Sequence, residues 1–215
     1  MVYGRRARTA IDLDALARYF GTDKSLEYNG YTPFYERHLG LRRTSVRRVL
    51  EIGVGGATSR TGYETSLGGQ SLLMWQAYFP FAEIVGVDIH EKQIVGDRIR
   101  FERGDQGDPE FLAELAQKYG GFDVIIDDGS HVASDVITSF STLWDSVRKG
   151  GVYVIEDLVV AYRDEWGGSF PSRKGTTVSL IKDQIDSTLL GRPDGVVPTL
   201  EAMHVYGGIA FFVRA

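Results

Sequence analysis

Three short stretches of this chain share one pattern, an apolar run that carries acid at its end, and the first is Val49-Leu50-Glu51-Ile52-Gly53-Val54-Gly55-Gly56. The second, Val124 to His131, and the third, Val152 to Asp157, are also apolar runs that end in carboxylates. Such a run is typical of a strand that is buried on both faces of a parallel sheet. Because ligands bind at the carboxyl ends of parallel strands, the acids predict a single site for a polar cofactor and a metal.

Amphipathic segments alternate with apolar runs along much of the chain. The strands are expected at 46–54, 84–88, 98–103, 122–127 and directly after Gly150-Gly151. The helices are expected at 13–20 and 32–40, after caps at Ser71 and Asp108, and up to a stop at Gly150-Gly151. This β-α-β-α-β alternation predicts an α/β fold with one doubly wound, mostly parallel sheet.

The C-terminal part of the chain departs from that alternation. Residues 158–175 show no clear periodicity, and 178–189 carry a helical apolar stripe. Two apolar runs, 202–206 and 209–213, are separated by two glycines, as in a β-hairpin. The sequence therefore predicts that an antiparallel hairpin ends the sheet.

Composition excludes several classes of protein. The chain has 215 residues, a formal net charge of -5 and no cysteine, so thiol catalysis, thiolate metal sites and disulfides are excluded. With 24 basic and 29 acidic residues, it is not expected to bind nucleic acid. It shows no signal-peptide pattern and no apolar run of about 18 residues, so we expect a cytoplasmic protein without a membrane span.

The glycine-rich turn after Glu51 leaves several ligands open. It suits a dinucleotide, a nucleoside cofactor or no ligand at all. A dinucleotide fold places its ribose-binding acid about 20 residues after the glycines. Here the next acid at a strand end, Asp88, comes 33 residues after Gly55, and Glu51 itself could receive a cationic ligand.

The same turn resembles the first motif of the class I S-adenosylmethionine-dependent methyltransferases, E/D-x-G-x-G. Glu51, Gly53 and Gly55 match that motif, and Asp88 matches the acid that binds the ribose hydroxyls in the family. The usual third glycine is replaced by Ala57. The resemblance implies a Rossmann-like fold, with residues 46–215 as the cofactor-binding core and 1–45 as a helical segment that contributes to the site, within one structural domain.

Longer pieces of the chain resemble the sugar O-methyltransferases of the macrocin and mycinamicin type and the related rhamnosyl and mannosyl enzymes. These pieces are 21–24, 51–56, 69–72 with Met74-Trp75, 104–106, 127–131 and 154–157. In that family the matching positions imply contacts to S-adenosylmethionine from Thr22, Ser71, Asp88, Gln106 and Asp128.

The acids of the second and third stretches are candidate metal ligands. If the two strands are neighbours, as the resemblance implies, Asp128 can reach the same point as Glu156 and Asp157. Carboxylates that converge without a basic partner are most simply held ionised by a hard cation, with Mg²⁺ favoured and Mn²⁺ or Ca²⁺ as alternatives. Consecutive strand residues point to opposite faces, so Glu156 and Asp157 can share an ion only if the chain turns there. Otherwise one of them caps a neighbouring loop.

His131 is the candidate general base. Among the four histidines, it combines a strand end with a carboxylate cluster, whereas His38 is expected on a surface helix, His90 in a loop and His204 in the hairpin. A sugar hydroxyl holds its proton tightly, so a divalent ion and an imidazole could together activate it for attack on the sulfonium methyl.

Together these features predict a magnesium-dependent O-methyltransferase that acts on a sugar hydroxyl. The acceptor would be a mannoside or rhamnoside of a polysaccharide or a glycosylated natural product. A catechol-type methyltransferase and a non-catalytic module that binds S-adenosylmethionine remain alternatives. Aromatic residues in 158–175 could contact the sugar, form a lid or serve an oligomer contact, and a homodimer is a further expectation.

Overall fold

The computed structural model of the protein describes residues 11–55, 68–190 and 200–215, so Gly56 and Ala57 lie outside the described residues. The helices are α1 (Leu13–Phe20), α2 (Thr32–Leu39), α3 (Gln70–Tyr78), α4 (Pro109–Tyr119), α5 (Ala133–Leu143) and α6 (Thr177–Leu190). The strands are β1 (Arg48–Ile52), β2 (Glu83–Asp88), β3 (Ile99–Arg103), β4 (Phe122–Asp127), β5 (Val147–Ile155), β6 (Leu200–Val205) and β7 (Ala210–Arg214).

The strands form one seven-stranded sheet in the order β3-β2-β1-β4-β5-β7-β6. The first five are parallel, and β7 pairs antiparallel with both β5 and β6, which confirms the predicted fold and hairpin. The strand ends are level, because Ile52 pairs with Val87 and Asp127, and Asp127 pairs with Ile155. The residues that follow directly at this edge are Gly53, Asp88, Asp128 and Glu156.

Two apolar layers cover the sheet, one on each face. Helices α1, α2 and α3 bury Leu13, Tyr35 and Trp75 on one face, and α4, α5 and α6 bury side chains on the other. Successive strand residues alternate between the layers, as with Val49 and Leu50. The first two helices thus share a core with β1, and the division between 1–45 and 46–215 stays a prediction. No described helix has the length and apolar character needed to cross a bilayer.

The expected helix stop at Gly150-Gly151 is wrong. Helix α5 ends at Leu143, a short 3₁₀ turn follows, and both glycines lie inside β5. Gly150 has a positive φ of 69°, and the register between β4 and β5 shifts at this point. The glycines therefore allow an irregular start to the strand.

Candidate active site

A cavity of about 910 Å³ opens at the level edge of the sheet. It extends from the glycine turn after β1 and the end of β2 to the loops after β4 and β5. Most of the predicted site residues line it, namely Thr22, Gly53, Gly55, Ser71, Asp88, Gln106, Asp128, His131 and Asp157. Glu51 and Glu156 do not line it and are buried in the protein.

The two glycines after β1 serve different purposes. Gly53 has φ 78°, and a Cβ atom there would lie 2.1 Å from the backbone oxygen of Asp128. Gly55 has φ 67°, but a Cβ atom there would meet no atom of the described residues within 4 Å. Gly53 is thus required by packing against the β4 loop, whereas Gly55 leaves the backbone open to the cavity.

Asp88 faces this turn from the end of β2. One carboxylate oxygen accepts a hydrogen bond from the Val54 amide at 3.3 Å, and the other accepts one from the His90 amide at 2.9 Å. The side chain is thereby held at the cavity wall between two loops. Its contact with a ribose stays a prediction, as does a cofactor contact from Thr22, whose hydroxyl accepts from the Lys24 amide at 3.2 Å.

Ser71 does not cap α3, contrary to the expectation. The N-cap is Gly69, and Ser71 Oγ instead donates to Glu51 Oε2 at 2.7 Å. Ser71 lies inside the first turn of α3 rather than at its N-cap, and its hydroxyl binds the buried acid. Burial raises the pKa of Glu51, and the cation that opposes this shift is Lys24.

Lys24 lies at the centre of the acid cluster and was not recognised from the sequence. Its ammonium nitrogen Nζ is 2.6 Å from Asp128 Oδ2, 2.9 Å from Glu156 Oε2 and 3.4 Å from Glu51 Oε1. The side chain is 1% exposed. Burial disfavours its charge, but the three carboxylates raise the pKa of Lys24 well above its ordinary value. The acids therefore have a basic partner, and the premise that they converge without one is wrong.

Glu156 has partners for both of its oxygens. Oε1 accepts a short hydrogen bond from the hydroxyl of Tyr35, and Oε2 accepts from Lys24. Burial raises the pKa of Glu156 well above its usual range, although Lys24 opposes the shift. Metal ligation by Glu156 stays a prediction, since an ion would compete with these two donors.

The backbone turns at Asp157, so its side chain points away from that of Glu156. The φ of Asp157, 53°, is left-handed, so the two acids lie in different surroundings despite being consecutive. Asp157 Oδ1 accepts from the hydroxyl of Tyr31 at 2.7 Å, and Oδ2 lies 3.4 Å from His131 Nε2. Asp128, His131 and Asp157 each offer one ligand atom, and these atoms lie within 4.8 Å of one another. The two carboxylates fit a divalent cation of the Mg²⁺ or Mn²⁺ type, and the imidazole lies beside them.

Gln106 fixes the loop that carries His131. Its amide nitrogen donates to Asp127 Oδ1 at 2.6 Å, and its oxygen accepts from the Ser130 backbone amide at 2.8 Å. A Cβ atom on Gly129 would lie 2.0 Å from that oxygen, so the loop packs directly on the Gln106 side chain. Gln106 also lines the cavity, and its contact with a cofactor stays a prediction.

One aromatic side chain of the segment after Asp157 contacts His131. The ring of Trp166 lies 5.9 Å from the imidazole in an edge-to-face arrangement. In the same segment the rings of Tyr162 and Phe170 are 5.6 Å apart, and these side chains are 44% and 84% exposed. The segment after Asp157 therefore presents apolar surface next to the imidazole.

Comparison with known proteins relates this chain to enzymes that methylate sugars. The mycinamicin VI 2''-O-methyltransferase of Micromonospora griseorubida is 41% identical over 211 residues, which cover 93% of this chain and 52% of that protein. The 8-demethyl-8-(2-methoxy-alpha-L-rhamnosyl)-tetracenomycin-C 3'-O-methyltransferase of Streptomyces olivaceus is 40% identical over 211 residues, which cover 93% of this chain and 53% of that protein. No family model matches the chain.

A solved structure shares the fold at similar identity. MycE methyltransferase from the mycinamycin biosynthetic pathway, in complex with Mg, SAH and mycinamycin VI, superposes with a TM-score of 0.85 at 40% identity. The alignment covers 95% of this chain and 53% of that one, so the chain spans about half the length of the proteins it matches. By sequence the chain is related to sugar O-methyltransferases, and by fold it has the Rossmann-like methyltransferase architecture of MycE.

Proposed function

We propose that this chain transfers a methyl group from S-adenosylmethionine to a sugar hydroxyl, with the help of a divalent cation. One observation carries the proposal: a metal-compatible group, Asp128, His131 and Asp157, lies in the same cavity as the glycine turn and Asp88. A cofactor bound at the turn would thus have its reactive end near an imidazole. The names of the related enzymes and the Mg and SAH in MycE support the same activity.

The cofactor end of the cavity would hold S-adenosylmethionine. Gly55 lets the ligand approach the backbone closely, and Asp88 accepts hydrogen bonds from the ribose hydroxyls. Thr22, Ser71, Gln106 and Asp128 would contact other parts of the cofactor. Glu51 would support the site without touching the cofactor, because its buried side chain accepts a hydrogen bond from Ser71 and forms an ion pair with Lys24.

The other end would hold the acceptor and the cation. Asp128 and Asp157 would bind Mg²⁺, with Mn²⁺ or Ca²⁺ as substitutes and Glu156 as a further ligand. The bound cation supplies positive charge that makes a neighbouring hydroxyl easier to deprotonate. His131 accepts that proton, and Asp157, 3.4 Å away, stabilises the imidazolium that results. Transfer then follows by in-line displacement between two positioned reactants.

The acceptor sugar would enter from the side of Trp166. A pyranose ring has apolar C–H faces that pack on aromatic side chains, and binding sites for small molecules commonly combine such surfaces with a few polar groups. Trp166 supplies an aromatic surface beside His131, and Tyr162 and Phe170, in the same segment, present exposed rings that could contact a further sugar ring. The acceptor would therefore be a glycoside with more than one ring, such as a glycosylated natural product or an oligosaccharide.

A methyl-transfer assay on a panel of glycosides tests this function. The protein is incubated with S-adenosylmethionine, Mg²⁺ and macrolide glycosides, rhamnosides or mannosides, and mass spectrometry follows the gain of one methyl group. We expect transfer to at least one glycoside and its loss with a chelator. Undiminished transfer with the chelator would remove the cation from the mechanism. Cofactor binding by calorimetry without transfer to any glycoside would favour the non-catalytic module.

We also propose a location, an oligomeric state and a range of partners for the protein. It would be cytoplasmic, form a homodimer and bind no nucleic acid. Size-exclusion chromatography with light scattering would test the dimer directly.

A further inference from the structure

We propose that Lys24 is the internal counter-cation of the acid cluster and that a divalent ion takes its place. In the structure the ammonium group binds Asp128 and Glu156. When the ion binds, Lys24 releases both carboxylates and its side chain moves into the cavity. This inference rests on the divalent-cation site of the proposed function, but not on the identity of the acceptor.

Three carboxylates surround the ammonium group of Lys24. It donates hydrogen bonds to Asp128 and Glu156, and Glu51 Oε1 lies 3.4 Å away as an ion pair without a hydrogen bond. Their side chains are 17%, 1% and 0% exposed, so water cannot satisfy the two glutamates. Without a cation at this position, buried negative charges would face one another. Some cation must therefore always be present for the cluster to stay ionised.

The same carboxylates are those that a metal would need. Asp128 belongs both to the Lys24 ion pair and to the group with His131 and Asp157. A divalent ion and an ammonium group that share one carboxylate repel each other at such short separation. Glu156 has a donor on each oxygen, so an ion that binds it would compete with the hydrogen bond from Lys24 or from Tyr35. Of the two, Lys24 carries the positive charge that the ion would replace.

Lys24 can move without unfolding its surroundings. Its backbone is fixed, because its amide donates to Thr22 Oγ1 and its carbonyl accepts from the Tyr31 and Thr32 amides. Its side chain is a flexible four-carbon stem. Lys24 is one of the residues that line the 910 Å³ cavity, so the space that the side chain would enter on exchange adjoins this residue. The exchange therefore needs no rearrangement of the strands.

Ion binding to the metal-free full chain tests the exchange. Calorimetry and thermal unfolding with Mg²⁺ or Mn²⁺, without cofactor, are compared for the wild type and for Lys24→Met. We expect the variant to unfold at a lower temperature than the wild type when the ion is absent. Adding the ion should raise its unfolding temperature more than that of the wild type, and the variant should bind the ion at least about tenfold more tightly. Equal or weaker ion binding by Lys24→Met would overturn the exchange and leave Lys24 as a fixed structural cation.

A matched control separates exchange from simple repulsion. Lys92 is also buried, lies 3.7 Å from Asp88 and lines the same cavity, away from the acid cluster. Lys92→Met should change ion affinity by less than about threefold, since it removes a positive charge without freeing a ligand. If Lys92→Met tightens binding as much as Lys24→Met, general repulsion explains the result and the exchange is rejected.

A structure of the wild type with Mn²⁺ gives a second measurement that holds even if Lys24→Met fails to fold. Anomalous scattering locates the ion, and the positions of Lys24 Nζ, Asp128 and Glu156 are compared with those in the metal-free protein. We expect Nζ to lie beyond hydrogen-bond distance of both carboxylates. An ion bound with both contacts retained overturns the inference. If the wild type binds no ion at all, the divalent cation of the proposed function is rejected, and the exchange is rejected with it.

Discussion

His131 and Asp157 face each other at the mouth of the cavity, with Nε2 of the imidazole 3.4 Å from Oδ2 of the carboxylate. Among the residues that the structure describes, they are the two that have a positive φ without being glycine, at 59° and 53°. A side chain in this region of backbone conformation costs on the order of 1 kcal/mol or more. The surrounding hydrogen bonds hold both strained residues where their side chains meet.

Replacing His131 by glycine should make the protein more stable and inactive. Glycine adopts a positive φ without strain, so we expect the free energy of unfolding to rise by about 1 kcal/mol. Loss of the base should slow methyl transfer by about 100-fold to 10,000-fold. Urea unfolding and the methyl-transfer assay measure the two effects.

The control for His131→Gly is a histidine far from the cavity. His204 lies in β6, and His204→Ala should leave methyl transfer unchanged. If His131→Gly kept its activity, the imidazole would not be the base. A less stable His131→Gly would show that contacts of the imidazole outweigh the backbone strain.

The strand ends could be predicted from the sequence, but the partners of their acids could not. Runs such as Val124 to Asp127 are apolar on both faces and end in acid, a pattern that appears within a few residues. Lys24 is 104 residues from Asp128 and 132 from Glu156, and no local pattern connects them. The resemblance included residues 21–24, but only the fold shows that this segment lies over the acids. The role of Ser71 could not be predicted for the same reason, because its partner Glu51 lies on another element.

Trp166→Ala should weaken acceptor binding and spare the cofactor. Trp166 lies beside His131, outside the residues that line the cofactor cavity. Loss of stacking area should raise the KM for the glycoside about tenfold, with the Kd for S-adenosylmethionine changed by less than about twofold. Steady-state kinetics and calorimetry measure the two constants.

Tyr19→Ala is the matched control for that change. Tyr19 is 82% exposed on α1, so its loss should alter neither constant. An unchanged acceptor KM in Trp166→Ala would contradict an acceptor site on this side. A weaker cofactor affinity would instead place Trp166 at the other end of the cavity.

Two neighbouring glycines should respond differently to the same substitution. A Cβ atom on Gly53 would lie 2.1 Å from a backbone oxygen, so Gly53→Ala should lose about 3 kcal/mol or more of stability, or fail to fold. The new methyl group in Gly55→Ala meets no atom within 4 Å in the part of the chain that the structure describes, so this variant should lose only about 1 kcal/mol from its positive φ. Urea unfolding of both variants gives the comparison.

Cofactor affinity adds a second readout for Gly55. If the cofactor packs on the backbone there, the new methyl group should weaken S-adenosylmethionine binding by about tenfold or more, although the fold is intact. Unchanged affinity in Gly55→Ala would show that the cofactor does not approach this glycine. Equal stability of the two variants would contradict the packing of Gly53 on the loop after β4.

His38 is not the surface residue that the helix pattern suggested. Its Nε2 lies 2.9 Å from the hydroxyl of Tyr206, and its ring packs 4.5 Å from His204 and 4.4 Å from Phe211. Burial lowers the pKa of His38, and the nearby charges of His204 and Arg37 lower it in the same direction, to about 4. The neutral imidazole is thus part of the packing between α2 and the C-terminal hairpin.

His38→Phe should reduce the loss of stability in acid. The unfolded histidine has a pKa of about 6.5, so between pH 6.5 and about 4 the unfolded chain binds more protons and stability falls as pH falls. The effect stays below about 1.4 kcal/mol per pH unit, because solvent screens a half-buried ring. Urea unfolding at pH 7 and pH 5 should therefore show a smaller drop for His38→Phe than for the wild type, and the exposed His90→Ala should behave as the wild type does. An equal drop in all three proteins would show that His38 does not titrate differently on unfolding.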